Sequence, residues 1–284
     1  MTAPDTKEHK ERERNSWASA ADGWRRRDAL LRKGAAPVTE RMLELAGIRA
    51  GHCVLDIASG TGEPALSAAV LVGESGSVIG TDLVEEMLAV AREKAHQAGL
   101  GNIEFRCIDG EALALEPASF DAVTNRWGLM FMPEPEACLA AAHAALKPGG
   151  RIALACWAAP DQNPFVSLVV QTLTDYMDVP QPPPGTPGIF AFADPERLHA
   201  TIASAGFTGI ELETLAIDVI EVEDGRAYWD AISDLAAPVM LLVRQLDDTT
   251  RARFTEDLIA RADALKQGET LRMRGMTWVA TAGS

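Results

Sequence analysis

Residues 53–62, Cys-Val-Leu-Asp-Ile-Ala-Ser-Gly-Thr-Gly, carry the plainest chemistry in the chain. A short apolar run closes on Asp56, turns through Gly60 and Gly62, and leads into a helical pattern from Pro64. That order predicts a buried strand, a glycine loop and a helix N-terminus. Glycines let the backbone approach a ligand closely, and the free N–H groups of a first helical turn point at it. Such a loop holds a nucleotide-like cofactor. Gly60-x-Gly62-x-x-Ala65, with the acidic Asp82 about 20 residues on, satisfies the dinucleotide fingerprint and would make the chain an NAD(P)-dependent oxidoreductase. Asp56 argues against that reading, because a carboxylate at the mouth of the loop repels a pyrophosphate. It suits a cofactor that carries an ammonium and a sulfonium.

The pattern Asp56-x-x-x-Gly60-x-Gly62 resembles motif I of the class I S-adenosylmethionine (SAM)-dependent methyltransferases. Four further segments follow in the order and spacing of that family: Val78–Asp82, Phe105–Leu113, Phe120–Asn125 and Leu146–Leu154. Within the family, Gly60-Thr-Gly-Glu-Pro-Ala-Leu66 and the segment from Trp17 to Trp24 are most similar to the ubiquinone/menaquinone C-methyltransferase-like group. The chain departs from the commonest motif I in having Ala58-Ser59 where Gly-Cys or Gly-Ser is usual, and two small residues still let the loop close.

The resemblance implies that SAM is the cofactor and that the loop residues Asp56, Ala58, Ser59, Gly60, Thr61 and Gly62 meet it. It further implies that Asp82 grips both ribose hydroxyls and that Leu83 lies against the adenine. Asp109, with Gly110 and Glu111 beside it, would accept a hydrogen bond from the adenine amino group, and Asn125 would face the methionine portion. Trp24 joins this set from the family's N-terminal lid. Arg126 and Trp127, immediately after the fourth strand, are the substrate-side candidates: Trp127 to stack on the acceptor or pack beneath a cap, Arg126 to hold an anionic substrate group or a cap carboxylate. The implied activity is methyl transfer to oxygen, carbon or nitrogen of a small, largely apolar metabolite. A SAM-binding protein that no longer transfers methyl is the other reading compatible with the loop.

Alternation of short apolar runs with helical patterns predicts an α/β fold, a doubly wound and mainly parallel sheet with both faces covered. Strands are expected at 53–57, 77–81, 103–108, 120–125 and 150–157, and helices at 38–47, 64–72, 84–98 and 134–146. A sixth strand at 210–217 and a final strand at 271–281, antiparallel if the family topology holds, complete a seven-stranded sheet. Residues 1–36 form an N-terminal helical arm and lid, with 1–14 too polar to pack alone. The methyltransferase domain covers 37–284 and carries cap insertions at about 158–193 and 224–266. The first contains the Pro/Gly tract 180–188, and the second the apolar run 238–243, suited to core or to an apolar pocket.

A net charge of −15 argues against nucleic acid as a substrate. No apolar run approaches a membrane span, and the first residues lack the apolar core of a signal peptide, so the cytoplasm is expected. A small-molecule methyl acceptor is the expected partner, and a homodimer is allowed. The four cysteines show no paired spacing and read as small apolar residues rather than as the thiolates of an arsenite-methylating enzyme. No metal is signalled. No general base stands out: His143 and His199 sit on expected helices, His52 at the far end of the first strand, and His96 on a solvated face.

Overall fold

In the computed structural model, which describes residues 6–180 and 182–284, two helices precede the sheet: α1 (Thr6–Arg26) and α2 (Asp28–Leu45). Residues 1–5 of the expected arm and Gln181 of the expected Pro/Gly tract lie outside the described residues. The alternating core follows as β1 (Cys53–Ile57), α3 (Ala65–Val72), β2 (Ser77–Asp82), α4 (Glu85–Gln97), β3 (Ile103–Cys107), β4 (Phe120–Arg126), α5 (Pro135–Ala145) and β5 (Leu146–Trp157). Then come α6 (Pro164–Leu173), α7 (Pro195–Ser204), β6 (Thr208–Val222), α8 (Gly225–Leu235), α9 (Ala237–Val243), α10 (Asp248–Asp263) and β7 (Leu271–Gly283).

The seven strands run in the order β3-β2-β1-β4-β5-β7-β6. The first five are parallel, and β7 is antiparallel to both β5 and β6. Val54, Leu55 and Ile57 are all buried, the mark of a strand covered on both faces. Strand order reverses beside β1, between β2 and β4, and the crevice at the carboxyl ends of these strands is where such sheets bind ligands.

Several elements differ from the sequence expectations. Helix α1 is one continuous helix from Thr6, because its charged first turns find partners: Lys10 bonds Asp109 and His9 bonds the Phe131 carbonyl. Helix α2 starts ten residues before the expected 38, running through Pro37. Strand β5 begins at Leu146, which pairs with Phe120 ahead of a register shift. Four basic residues between Arg25 and Lys33 form ion pairs. Arg25 meets Glu93 at 3.0 Å, Arg26 and Arg27 meet Asp234 at 2.6 and 2.8 Å, and Lys33 meets Glu221 at 3.1 Å. Helix α9 gives Val243 to the core and packs the half-buried Val239, Met240 and Leu242 against it, and none of its residues lines the cavity at the carboxyl ends of β1, β2 and β4.

No helix among the described residues is long and apolar enough to cross a membrane. Of the four thiols, Cys138 and Cys156 are buried, Cys53 is half-buried and Cys107 is exposed, so the apolar-residue reading holds for two of them only.

Candidate active site

A cavity opens at the carboxyl ends of β1, β2 and β4, and every residue lining it lies between His9 and Pro133. Its floor is the loop after β1. Ala58 and Gly60 both have positive φ, 59° and 52°, which turns the chain sharply away from the sheet. A Cβ built on Gly60 would meet nothing within 4 Å, so the backbone there stands open to the cavity. Gly62 does a different job from the one expected. It is absent from the cavity wall, and a Cβ there would lie 2.6 Å from Leu66 Cδ1 and 3.3 Å from Ala91, so its bareness lets α3 and α4 close on the loop.

The loop is cross-braced by Asp82 at the end of β2. Asp82 Oδ2 accepts from the Gly60 amide at 2.8 Å and Oδ1 from the Val84 amide at 2.9 Å. Burial pushes this carboxyl up to about 6, against the pull of those N–H groups. Leu83 lines the cavity next to it. Lys94 ties the loop from the other side, donating to the Thr61 carbonyl at 2.8 Å and pairing with Asp28 at 2.5 Å.

Asp56 is not at the mouth of the loop but sealed beneath it. It is 0% exposed, in register with Thr124 on β4, whose hydroxyl donates to Asp56 Oδ1 at 2.6 Å. Asp56 Oδ2 has no hydrogen-bond partner among the described residues. Burial pushes its carboxyl up to about 7, partly opposed by Ser59, Thr124 and the charge of Arg126. Its influence on a ligand is therefore electrostatic, exerted through the Ala58-Ser59 turn.

The loop after β3 supplies the second wall. Asp109 Oδ1 accepts from the Glu111 amide at 3.0 Å, and a Cβ on Gly110 would lie 2.9 Å from Met132 and 3.1 Å from Ile57. Lys10 reaches down from α1 to Asp109 Oδ2 at 2.7 Å and also bonds Glu111. Glu111 in turn accepts from the Glu134 amide.

Beyond β4, the structure separates the residues that the sequence grouped. Asn125 does not face the cavity. Its Nδ2 donates to the Ile57 carbonyl at 3.1 Å, and its Oδ1 accepts from the amides of Gly128 and Leu129, so the amide is spent holding the turn. Trp127 reaches the wall, but its indole stacks on Trp157 at 4.3 Å and donates to Thr277 at 3.0 Å. Arg126 also lines the cavity, with its guanidinium 5.1 Å from the Trp127 ring and Nη1 donating to Thr39 at 2.5 Å.

The roof is α1. Trp17 packs edge-on against Phe131 and Trp24, and Trp24 donates to the Leu235 carbonyl at 3.2 Å. Glu13 accepts from Trp17 Nε1 at 3.2 Å, and burial pushes its carboxyl up. Neither the 158–193 nor the 224–266 insertion contributes a lining residue, although the Gly188 amide in the first bonds the Met130 carbonyl behind Phe131. Sequence reading placed Trp17 on the helical lid and missed His9, Lys10, Glu13 and Phe131. The available signal was the spacing of His9, Glu13, Trp17 and Trp24, steps of four, four and seven that share one helix face.

Comparison with known proteins now bears on the cavity. Residues 54–150 match the model of a methyltransferase domain. The ubiquinone/menaquinone biosynthesis C-methyltransferase of Escherichia fergusonii is 30% identical over 202 residues, spanning 66% of this chain and 78% of that protein. The chain belongs to the class I SAM-dependent methyltransferases, in the ubiquinone/menaquinone C-methyltransferase-like group. The same-named protein of Marinomonas sp. is 40% identical over 119 residues, 42% of this chain and 47% of that one. Among solved structures, the YcgJ protein from Bacillus subtilis shares the fold of this methyltransferase, with TM-score 0.57 and 18% identity over 88% of this chain and 98% of that one. The dinucleotide reading of the loop is set aside.

SAM is the cofactor of this methyltransferase, and the cavity fits it on its own chemistry. The backbone at Gly60 stands open, a carboxylate already held by amides waits at Asp82, and a carboxyl with one unpartnered oxygen lies beneath the loop at Asp56.

The turn itself is tightly built. Ala58 occupies a left-handed conformation that costs a non-glycine residue about 1 kcal/mol. A Cβ on Gly128 would lie 2.3 Å from the Ala58 methyl. Gly128→Ala is expected to destabilise by about 1–3 kcal/mol, and Ala58→Gly to stabilise by about 1 kcal/mol. The double variant should recover much of the loss, a coupling that urea unfolding of all four proteins measures. Additive effects would show that the two residues do not touch.

Proposed function

We propose that this methyltransferase acts on oxygen, carbon or nitrogen of a small, largely apolar acceptor, held between the loop after β1 and α1. The observation that carries the reading is the composition of the cavity opposite the loop, where Trp17, Trp24, Trp127, Phe131, Met132 and Met87 converge. A pocket of that kind suits an apolar ligand oriented by few polar groups.

SAM supplies an electrophilic methyl on a sulfonium, and the protein's part is to align the partners and exclude water. We assign Ala58, Ser59, Gly60 and Thr61 to the cradle of the cofactor, Asp82 to its ribose and Leu83 to its adenine. Asp109, Gly110 and Glu111 close the adenine end, with Trp24 in the roof. Asp56 acts from beneath by its charge. Glu13 is suited to receive a proton from the acceptor where one must leave, since burial raises its carboxyl toward the range a base needs.

On the same reading the partner is a small molecule and not nucleic acid, because a net charge of −15 repels phosphates. The cytoplasm remains the expected compartment. A homodimer is compatible with the exposed Val70 and Leu71 on α3.

The test is release of S-adenosylhomocysteine, the demethylated product, from SAM in the presence of matched acceptor panels. Phenols, hydroquinones and apolar amines should raise it above background, whereas sugars and nucleotides should not. Faster turnover with the polar panel would overturn the acceptor class.

A further inference from the structure

Helix α1, the roof of the cavity, meets α2 at a joint of one residue, Arg27. Ion pairs hold this joint from two sides. Arg26 and Arg27 pair with Asp234 on α8, while Arg25 and Asp28 pair with Glu93 and Lys94, neighbours on α4. The two pairs to α4 differ in kind. Arg25–Glu93 lies in the open, where a single pair contributes little. The Lys94 side chain is only 19% exposed, and its ammonium makes a second bond, to the Thr61 carbonyl at 2.8 Å.

That carbonyl belongs to the loop after β1, the floor of the cavity. Thr61 stands between Gly60 and Gly62, both at positive φ, so the chain itself restrains its peptides little. Asp82 fixes the Gly60 amide, and the Ser59 carbonyl accepts from the Gly62 amide at 2.8 Å. Thr61 is buried, and Lys94 is the one donor to its carbonyl among the described residues. Neither Lys94 nor Asp28 lines the cavity. A single ammonium therefore joins floor to roof. Lysine suits the task, because its three N–H groups diverge toward acceptors on different elements, whereas a flat guanidinium favours two on one.

We propose, on the reading of the cavity as the SAM site, that Lys94 is a positioning residue that ties the α1–α2 joint to the cofactor loop, so that roof and floor grip the ligand together. Without the ammonium, the Thr61 carbonyl loses its donor and the Asp28 carboxylate its counter-charge. The loop then relaxes and the roof is freed on its α4 side. Ligand escape is what a loosened grip changes first, since the strength of contacts at a site is expressed mainly in the dissociation rate.

Stopped-flow measurement of S-adenosylhomocysteine binding tests it, with tryptophan fluorescence as the signal because Trp17 and Trp24 line the roof. Lys94→Met keeps an apolar stem and removes the charge. It should raise the dissociation rate about tenfold or more and leave the association rate within about threefold of wild type. Asp28→Asn should raise the dissociation rate about threefold in otherwise wild-type protein and not at all beside Lys94→Met. Glu93→Gln, on the same helix and at the same joint, should change nothing. A fall only in the association rate, or in the fraction of protein that binds, would make Lys94 merely structural. Unchanged dissociation from Lys94→Met, or an equal effect of Asp28→Asn in both backgrounds, would separate joint from loop. Each of these overturns the tie. Wild-type protein that gives no heat with S-adenosylhomocysteine in calorimetry would instead defeat the underlying SAM reading. Thermal melting confirms that each variant is folded, and Asp28→Asn alone keeps the test open if Lys94→Met fails to fold.

Discussion

Replacing Asp82 with alanine is expected to weaken S-adenosylhomocysteine binding about a hundredfold or more while leaving the sheet folded. The carboxylate is held at the end of β2 by the Gly60 and Val84 amides, so it is oriented before any ligand arrives. Each hydrogen bond from a hydroxyl to a fixed carboxylate contributes about 1.5–3 kcal/mol, and a ribose offers two. The variant also frees the Gly60 amide, which loosens the cradle, but it removes a buried charge at the same time. Stability should therefore change little. Calorimetry checks the affinity and circular dichroism the fold. Unchanged affinity would remove Asp82 from the site. In wild-type protein, affinity should rise with pH as the carboxyls of Asp82, at about 6, and Asp56, at about 7, give up their protons, and level off above that range.

Asp56→Asn should produce the opposite kind of result, a more stable protein. In the ligand-free state burial raises the Asp56 carboxyl from 3.8 to about 7. A group whose folded pKa is raised binds protons more readily when folded than when unfolded. Wild-type stability is therefore fully present below 3.8, falls as pH rises toward 7, and is constant above it as far as this group is concerned. The charge then costs on the order of 4 kcal/mol, at 1.36 kcal/mol for each unit. Asparagine avoids that cost but leaves an amide N–H unmet where Oδ2 now lies, at about 1–3 kcal/mol. The expected net effect is a gain of about 1–3 kcal/mol at pH 8, shrinking as pH falls below 7 and turning into a loss of about 1–3 kcal/mol by about pH 4. Urea unfolding at both pH values measures it. A gain that does not depend on pH would show that the Asp56 charge is not what strains the ligand-free protein. The cofactor's positive charges are what this destabilising carboxylate serves, so the stabilised variant should also bind SAM more weakly.

Much of this architecture was legible because it is local. Strand β1 was readable to the residue, since an apolar run bounded by His52 and a small-residue turn has one reading in a doubly wound sheet. The sheet from β1 to β5 followed from the same alternation. The site was half legible. Gly60 and Asp82 carry their place in their spacing, whereas Asp56 and Asn125 sit at the right positions and turn their side chains inward. Backbone register decided that: Asp56 lies opposite Thr124, and Asn125 caps the turn that Gly128 makes possible. The roof was not legible from composition. Thr6–Arg14 is polar enough to read as a loose arm, and only the carboxylates of Asp109 and Glu111, nearly a hundred residues away, show why Lys10 is there. The cap was misplaced for a related reason. The aromatic stack of Trp127, Trp157 and Phe165 ties the 158–193 insertion to the chain beside the cavity, and no residue of the insertion lines it.

The central claim is that this cavity is built for SAM. Calorimetric titration of the wild-type protein with S-adenosylhomocysteine and, separately, with NADH tests it most directly. Saturable micromolar binding of S-adenosylhomocysteine with no heat from NADH is the expected result. Binding of NADH in preference, or no binding of S-adenosylhomocysteine, would contradict it.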